Sequence, residues 1–253
     1  MGIETCGRDV VGHGAQVLQE RSQAVQGRGK AVVGALRCVL GFGVIALLTG
    51  ETRSAWVCSM NSSSKNIGFK RSRMCHSTIA EGIVAFLGYF TTLTNILVCL
   101  ALTVPLVAPT SALGQFFSRP SVVAGVVTSI SFVGIAYYLL LRNIWAPEGL
   151  QLLADVLLHY AVPVLYLVFW WFALPKASLR WVDPLVWSAY PAAYCAYALA
   201  RGALIGSYPY PFIDVATIGY RQTLLNAFGL LLAYIALGLL FVALGRASSS
   251  SAK

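Results

Sequence analysis

GYFTTLTNILVCLAL, residues 88–102, is apolar enough to lie in lipid, yet it carries Thr91, Thr92, Thr94 and Asn95 in its middle. The surroundings of this stretch decide how it is read. It belongs to a longer run, 82–107, and five further runs at roughly 32–50, 121–141, 150–174, 184–204 and 222–245 also approach the ~20 residues that cross a bilayer. Hydrophobic residues make up 58% of the 253-residue chain and charged residues 11%, against about a quarter charged in a soluble domain. Pro109, Pro120, Pro147, Pro175, Pro184 and Pro211 fall in the gaps, where helices end. The fold class predicted is therefore all-α: a polytopic integral membrane protein built as a six-transmembrane-helix bundle over residues 31–246. A β-barrel would require period-2 alternation, which these runs lack.

Residues 1–30 have no apolar core of the kind a cleavable signal needs and read as a mobile polar tail, with 247–253 a second, shorter one. The net charge of +9 sits beside apolar spans, so the partners it implies are anionic lipid headgroups rather than nucleic acid. Ten basic residues fall on the face holding both termini and eight on the other, a split too even for the positive-inside rule to decide. We read the chain as a multi-pass protein of the cell membrane with cytoplasmic termini. On that reading Cys58 and Cys75, in the 51–81 loop, lie in an oxidising compartment where they can pair. No metal-ligand spacing occurs, no P-loop or dinucleotide fingerprint is present, and no cofactor is expected.

Polar groups are costly in lipid, so their positions carry the information. In the fourth span, GLQLLADVLLHYAVPVLYLVFWWFAL, Gln151, Asp155, His159 and Pro163 recur every four residues and form one stripe. Pro163 cannot donate to the carbonyl of His159, which predicts a kink beside the histidine. In the second span Thr91 and Asn95 share a face, while Thr92 and Thr94 point elsewhere. A lone threonine satisfies itself on the helix backbone; Asn95 needs a partner on another helix. Thr91 lies ten residues beyond Glu81 and His159 eleven beyond Glu148, which places both roughly 15–17 Å into a ~30 Å core. A hydroxyl and an imidazole at one level can meet across a bundle.

The fifth span carries Tyr190, Tyr194, Tyr197 and Arg201 along one face and leads into RGALIGSYPYPFIDVATIGYRQ. There Asp214 has Arg201 and Arg221 as candidate partners. With so many polar residues gathered near the 51–81 loop, a cavity open to that face is expected. The GYFTTLTN and LLHYAVP segments have no counterparts in the other half of the chain, which argues against an inverted-repeat transporter.

YFT (89–91), LLHYAVP (157–163) and RG…YPYPFID (201–214) together resemble a prokaryotic six-span membrane protein family, distantly similar to the androgen-induced membrane hydrolases of animals. The resemblance covers roughly residues 80–246, and YPYPFID is its most specific piece. It implies a six-helix fold and an intramembrane hydrolase of fatty-acid esters, with Thr91 as nucleophile and His159 as base. Asp155 would then orient the histidine. Asn95 or a span-five tyrosine, Tyr194 or Tyr197, would face the oxyanion, with Arg201, Asp214 and Arg221 lining the cavity. The partners expected are membrane lipids and a lipid-like small molecule. A different class stays open: a non-catalytic protein that binds or transports a small amphipathic solute or protons through Asp155, His159 and Arg201. A third is purely structural, the polar groups serving helix association alone.

Overall fold

The computed structural model describes residues 85–144, 146–173, 176 and 178–250. The tail 1–30, the span 32–50, Cys58 and Cys75 lie outside the described residues. Within them every element is helical: α1 (Phe90–Val107), α2 (Ala112–Phe117), α3 (Pro120–Ala136), α4 (Gly149–Val156), α5 (Val162–Ala173), α6 (Asp183–Trp187), α7 (Ala189–Ile205) and α8 (Val215–Ser250). Two π-turns, Tyr137–Leu141 and Leu157–Ala161, extend α3 and join α4 to α5.

Four helical stretches are long and apolar enough to cross a membrane: Phe90–Val107, Pro120–Leu141, Gly149–Phe172 and Val215–Ser248. Their outward surfaces keep large apolar side chains exposed, among them Val107, Leu139, Phe172 and Phe228. A soluble monomer does not leave that much apolar surface in water. The predicted span 184–204 instead divides at Ser188, whose hydroxyl donates to the Leu185 carbonyl at 2.7 Å, leaving the 17-residue α7. The predicted span 82–107 is interrupted: Ala85 and Phe86 are helical, Leu87 and Gly88 form a turn, Tyr89 is extended, and α1 begins at Phe90. The sixth is longer than predicted and kinks at Gly219, where φ is 74°.

Helix α3 is the centre, packed against α1, α5 and α8. Small residues allow this. A Cβ on Gly125 would come within 2.9 Å of the Trp187 ring, and one on Gly134 within 3.1 Å of the His159 carbonyl and 3.3 Å of Pro163. Close backbone approach of this kind is how helices associate in lipid, where no hydrophobic force draws them together. The hydroxyls of Ser129 and Tyr234, 2.8 Å apart, tie α3 to α8.

The tyrosine row of α7 runs down α1, antiparallel to it. Tyr190 pairs its hydroxyl with Thr94 at 3.0 Å. Tyr194 donates to the Gly88 carbonyl at 2.9 Å and Tyr197 to that of Leu87 at 3.4 Å. The Arg201 guanidinium packs on Gly88, where an added Cβ would sit 2.9 Å from its Cζ. These tyrosines donate to two carbonyls of the turn before α1, that of Gly88 in a buried bond and that of Leu87 in an exposed one.

Candidate functional site

His159 lies in the π-turn Leu157–Ala161. Pro163 has no N–H for the His159 carbonyl, and the helix answers with a wider turn, closed by the Val162 N–H donating to the Leu157 carbonyl. Such a turn re-aims the side chains it contains. Here the imidazole is turned into the bundle and is 6% exposed, with Asp155 at 2%.

The two ring nitrogens have different partners. Nδ1 is 3.1 Å from the main-chain carbonyl of Asp155 and 3.1 Å from its carboxylate Oδ1. Both are acceptors, so Nδ1 carries the proton. The hydrogen bond goes to the carbonyl, while Oδ1 lies off the N–H axis and makes no hydrogen bond of its own. The carbonyl thus sets the tautomer, and the carboxylate supplies charge next to the ring. Nε2, left as an acceptor, is 3.2 Å from Oγ1 of Thr91. The Tyr137 ring stacks on the imidazole at 3.9 Å, with 17° between planes, and its hydroxyl donates to Asp155 Oδ2 at 2.6 Å. Tyr137 comes from the other π-turn, so both rings of this stack sit where the backbone departs from the α-helix.

Thr91 is the second residue of α1. The end of this helix has no side-chain cap, and the Thr91 N–H points to the Tyr210 hydroxyl at 3.4 Å. Tyr210 is buried, and its hydroxyl also neighbours the side chains of Thr91 and Tyr194. Burial pushes that hydroxyl above its ordinary value, which keeps it a neutral donor. The ring is held by stacking on Phe212 at 5.1 Å and by the edge of Tyr89 at 5.8 Å.

Asn95 does find its partner on another helix. Its amide donates to the Thr91 carbonyl at 2.8 Å and to the Leu158 carbonyl at 3.4 Å, clamping α1 to the His159 turn. Both amide hydrogens are engaged there. Thr92 and Thr94 are buried, and Thr94 has the Tyr190 hydroxyl as its partner. A cavity of about 610 Å³ lies beside Thr91, walled by α3, α7 and α8. Its lining is almost wholly apolar, with Phe132, Leu199, Phe228 and Leu231, and the hydroxyl-bearing Thr91, Tyr137, Tyr194 and Tyr210 stand along it.

Thr91, His159, Asp155 and Asn95 are therefore brought together, with Tyr194 one contact away. Tyr197 serves the turn before α1. Asp214 caps α8, accepting from the Ala216 N–H at 3.0 Å; among the described residues no ion pair joins it to Arg201 or Arg221, and Arg221 is exposed. Two residues of this cluster were not among the sequence candidates. Tyr210 stands in the YPYPFID motif, so a signal for it existed. Tyr137, in YYLLLRN, had none, because its role needs the α4 stripe opposite.

Comparison of the chain with protein-family models, with curated proteins and with solved structures finds no match to any of them.

Proposed function

We propose that this chain is an intramembrane hydrolase of carboxylic esters of lipids, a six-span protein with Thr91 as nucleophile and His159 as base. The observation that carries this reading is the 3.2 Å contact between Thr91 Oγ1 and His159 Nε2, at the wall of an apolar cavity, between residues 68 apart in sequence. The YFT, LLHYAVP and YPYPFID segments support it by resemblance.

In the proposed reaction His159 Nε2 takes the Thr91 proton as Oγ attacks the ester carbonyl carbon. The imidazolium is stabilised by the Asp155 carboxylate, which Tyr137 holds in place. The tetrahedral intermediate collapses, and the departing alkoxide takes the proton from Nε2. The acyl group is left on Thr91. Water, deprotonated by the same nitrogen, attacks the acyl-threonine; the fatty acid leaves, and the proton returns to Thr91. The cavity takes the acyl chain.

A long-chain alkyl fluorophosphonate tests this on purified protein. Labelling is expected in the wild type, to vanish in Thr91→Ala and His159→Ala, and to persist in Thr92→Ala and Thr94→Ala. Folded Thr91→Ala that still labels places the nucleophile elsewhere. A wild type that neither labels nor turns over lipid esters is the outcome expected of a non-catalytic solute or proton carrier.

A further inference from the structure

Resting on the hydrolase reading, we infer that Tyr210 is a further catalytic residue, whose hydroxyl donates a hydrogen bond to the oxyanion formed when Thr91 attacks. An oxyanion needs donors already in place close to the attacked carbon, in a site that excludes water. The groups expected to serve are committed elsewhere: both Asn95 amide hydrogens are held by main-chain carbonyls, and Tyr194 donates to the Gly88 carbonyl. Tyr210 is placed differently. Its hydroxyl lies at the Thr91 N–H and beside the Thr91 side chain, and the residue lines the cavity. A carbonyl carbon approaching Thr91 Oγ1 from that cavity brings its oxygen towards this hydroxyl.

The chemistry balances without proton transfer to or from Tyr210. Thr91 Oγ forms the new C–O bond, the carbonyl π pair moves onto oxygen, and the Thr91 proton goes to His159. The Tyr210 O–H turns from its resting neighbours to the new charge. When the carbonyl re-forms and the alkoxide leaves, the hydroxyl turns back. The Tyr210 oxygen stays in place throughout and keeps the Thr91 N–H as its donor, so only the hydroxyl hydrogen moves.

Tyr210→Phe keeps the ring contacts with Phe212 and Tyr89 and removes the hydroxyl alone. Fluorophosphonate labelling, whose adduct presents a phosphoryl oxygen in place of the oxyanion, should slow on the order of 10²-fold. Tyr234→Phe, which loses only its bond to Ser129, should label as the wild type does. A second readout is the rate ratio between an ester and its thionoester, since sulfur is a poor hydrogen-bond acceptor. The ratio should be large in the wild type and shrink in Tyr210→Phe. If that variant melts well below the wild type, 3-fluorotyrosine at position 210 replaces it: ring and hydroxyl stay, acidity rises, and labelling should change. Equal labelling and an unchanged ratio in folded Tyr210→Phe, or no response to 3-fluorotyrosine, overturn the role of Tyr210 and leave the nucleophile standing. An unlabelled, inactive wild type overturns both.

Discussion

A threonine hydroxyl attacks only when a base takes its proton, so the nucleophile role proposed for Thr91 depends on which nitrogen of His159 is free. The Asp155 main-chain carbonyl holds the Nδ1 proton and turns Nε2 to Thr91. In the proposed reaction the Asp155 side chain is left with a separate task, a negative charge 3.1 Å from a ring that would become cationic. Asp155→Asn isolates that task. The amide conserves shape and keeps an oxygen for the Tyr137 hydroxyl, and the tautomer is still set by the main chain. Fluorophosphonate labelling is expected to fall about 10²–10⁴-fold, the range for charge stabilisation and general-base assistance, with Thr91 still the labelled residue. Labelling at the wild-type rate would reduce Asp155 to a helix contact.

The helices position these groups through their irregularities. A straight second span would leave Thr91 in mid-helix; the turn at Leu87–Gly88 puts it at an uncapped end instead, and the α7 tyrosines hold that turn. The π-turns carry Tyr137 and His159, and Gly134 lets α3 come down on the second of them. Gly125 and Gly134 make a paired test, since both are α3 glycines against a close neighbour. Adding a methyl at either overpacks a helix contact, at about 1–3 kcal/mol. Gly125→Ala presses on Trp187, far from the histidine, whereas Gly134→Ala presses on the His159 carbonyl and Pro163. Both variants should melt earlier in detergent, and Gly134→Ala alone should also label more slowly. Equal labelling in the two would mean that the π-turn does not transmit the displacement to His159.

For the molecule as a whole, the apolar exterior and the polar interior belong together. Exposed Leu139, Phe172 and Leu204 suit lipid, while Asp155 and His159 are removed from it at the centre. The proposed six-span topology with cytoplasmic termini has a direct consequence for the cysteines. Cys99 and Cys195 are half-buried within helices, and an impermeant maleimide should not reach them in intact cells. Cys58 and Cys75 lie on the outer face in that topology, and should be labelled after mild reduction. Labelling of the pair only after lysis would invert the orientation and remove the case for a disulfide.

Composition alone establishes an apolar helical protein, because charge is too scarce for a water-facing surface and the apolar runs are bilayer-length. Periodicity adds the Gln151–Asp155–His159 stripe, and counting from the flanking acids puts Thr91 and His159 at one level. Those inferences hold because helix geometry relates sequence spacing to position along one axis. Contacts between helices follow no such spacing. Nothing in YYLLLRN marks Tyr137 as the plate beneath the imidazole, and nothing in GYFTTLTN marks Asn95 as a clamp on the Leu158 carbonyl rather than a donor to substrate. The helix break at Gly88 likewise depends on packing, since the carbonyls it frees find their partners on α7, and the Leu158 carbonyl of the second π-turn takes a donor from α1. Tyr210 is the sharpest case: its motif is conspicuous in the sequence, but only the fold of the α7–α8 connection brings its hydroxyl to Thr91, 119 residues away along the chain.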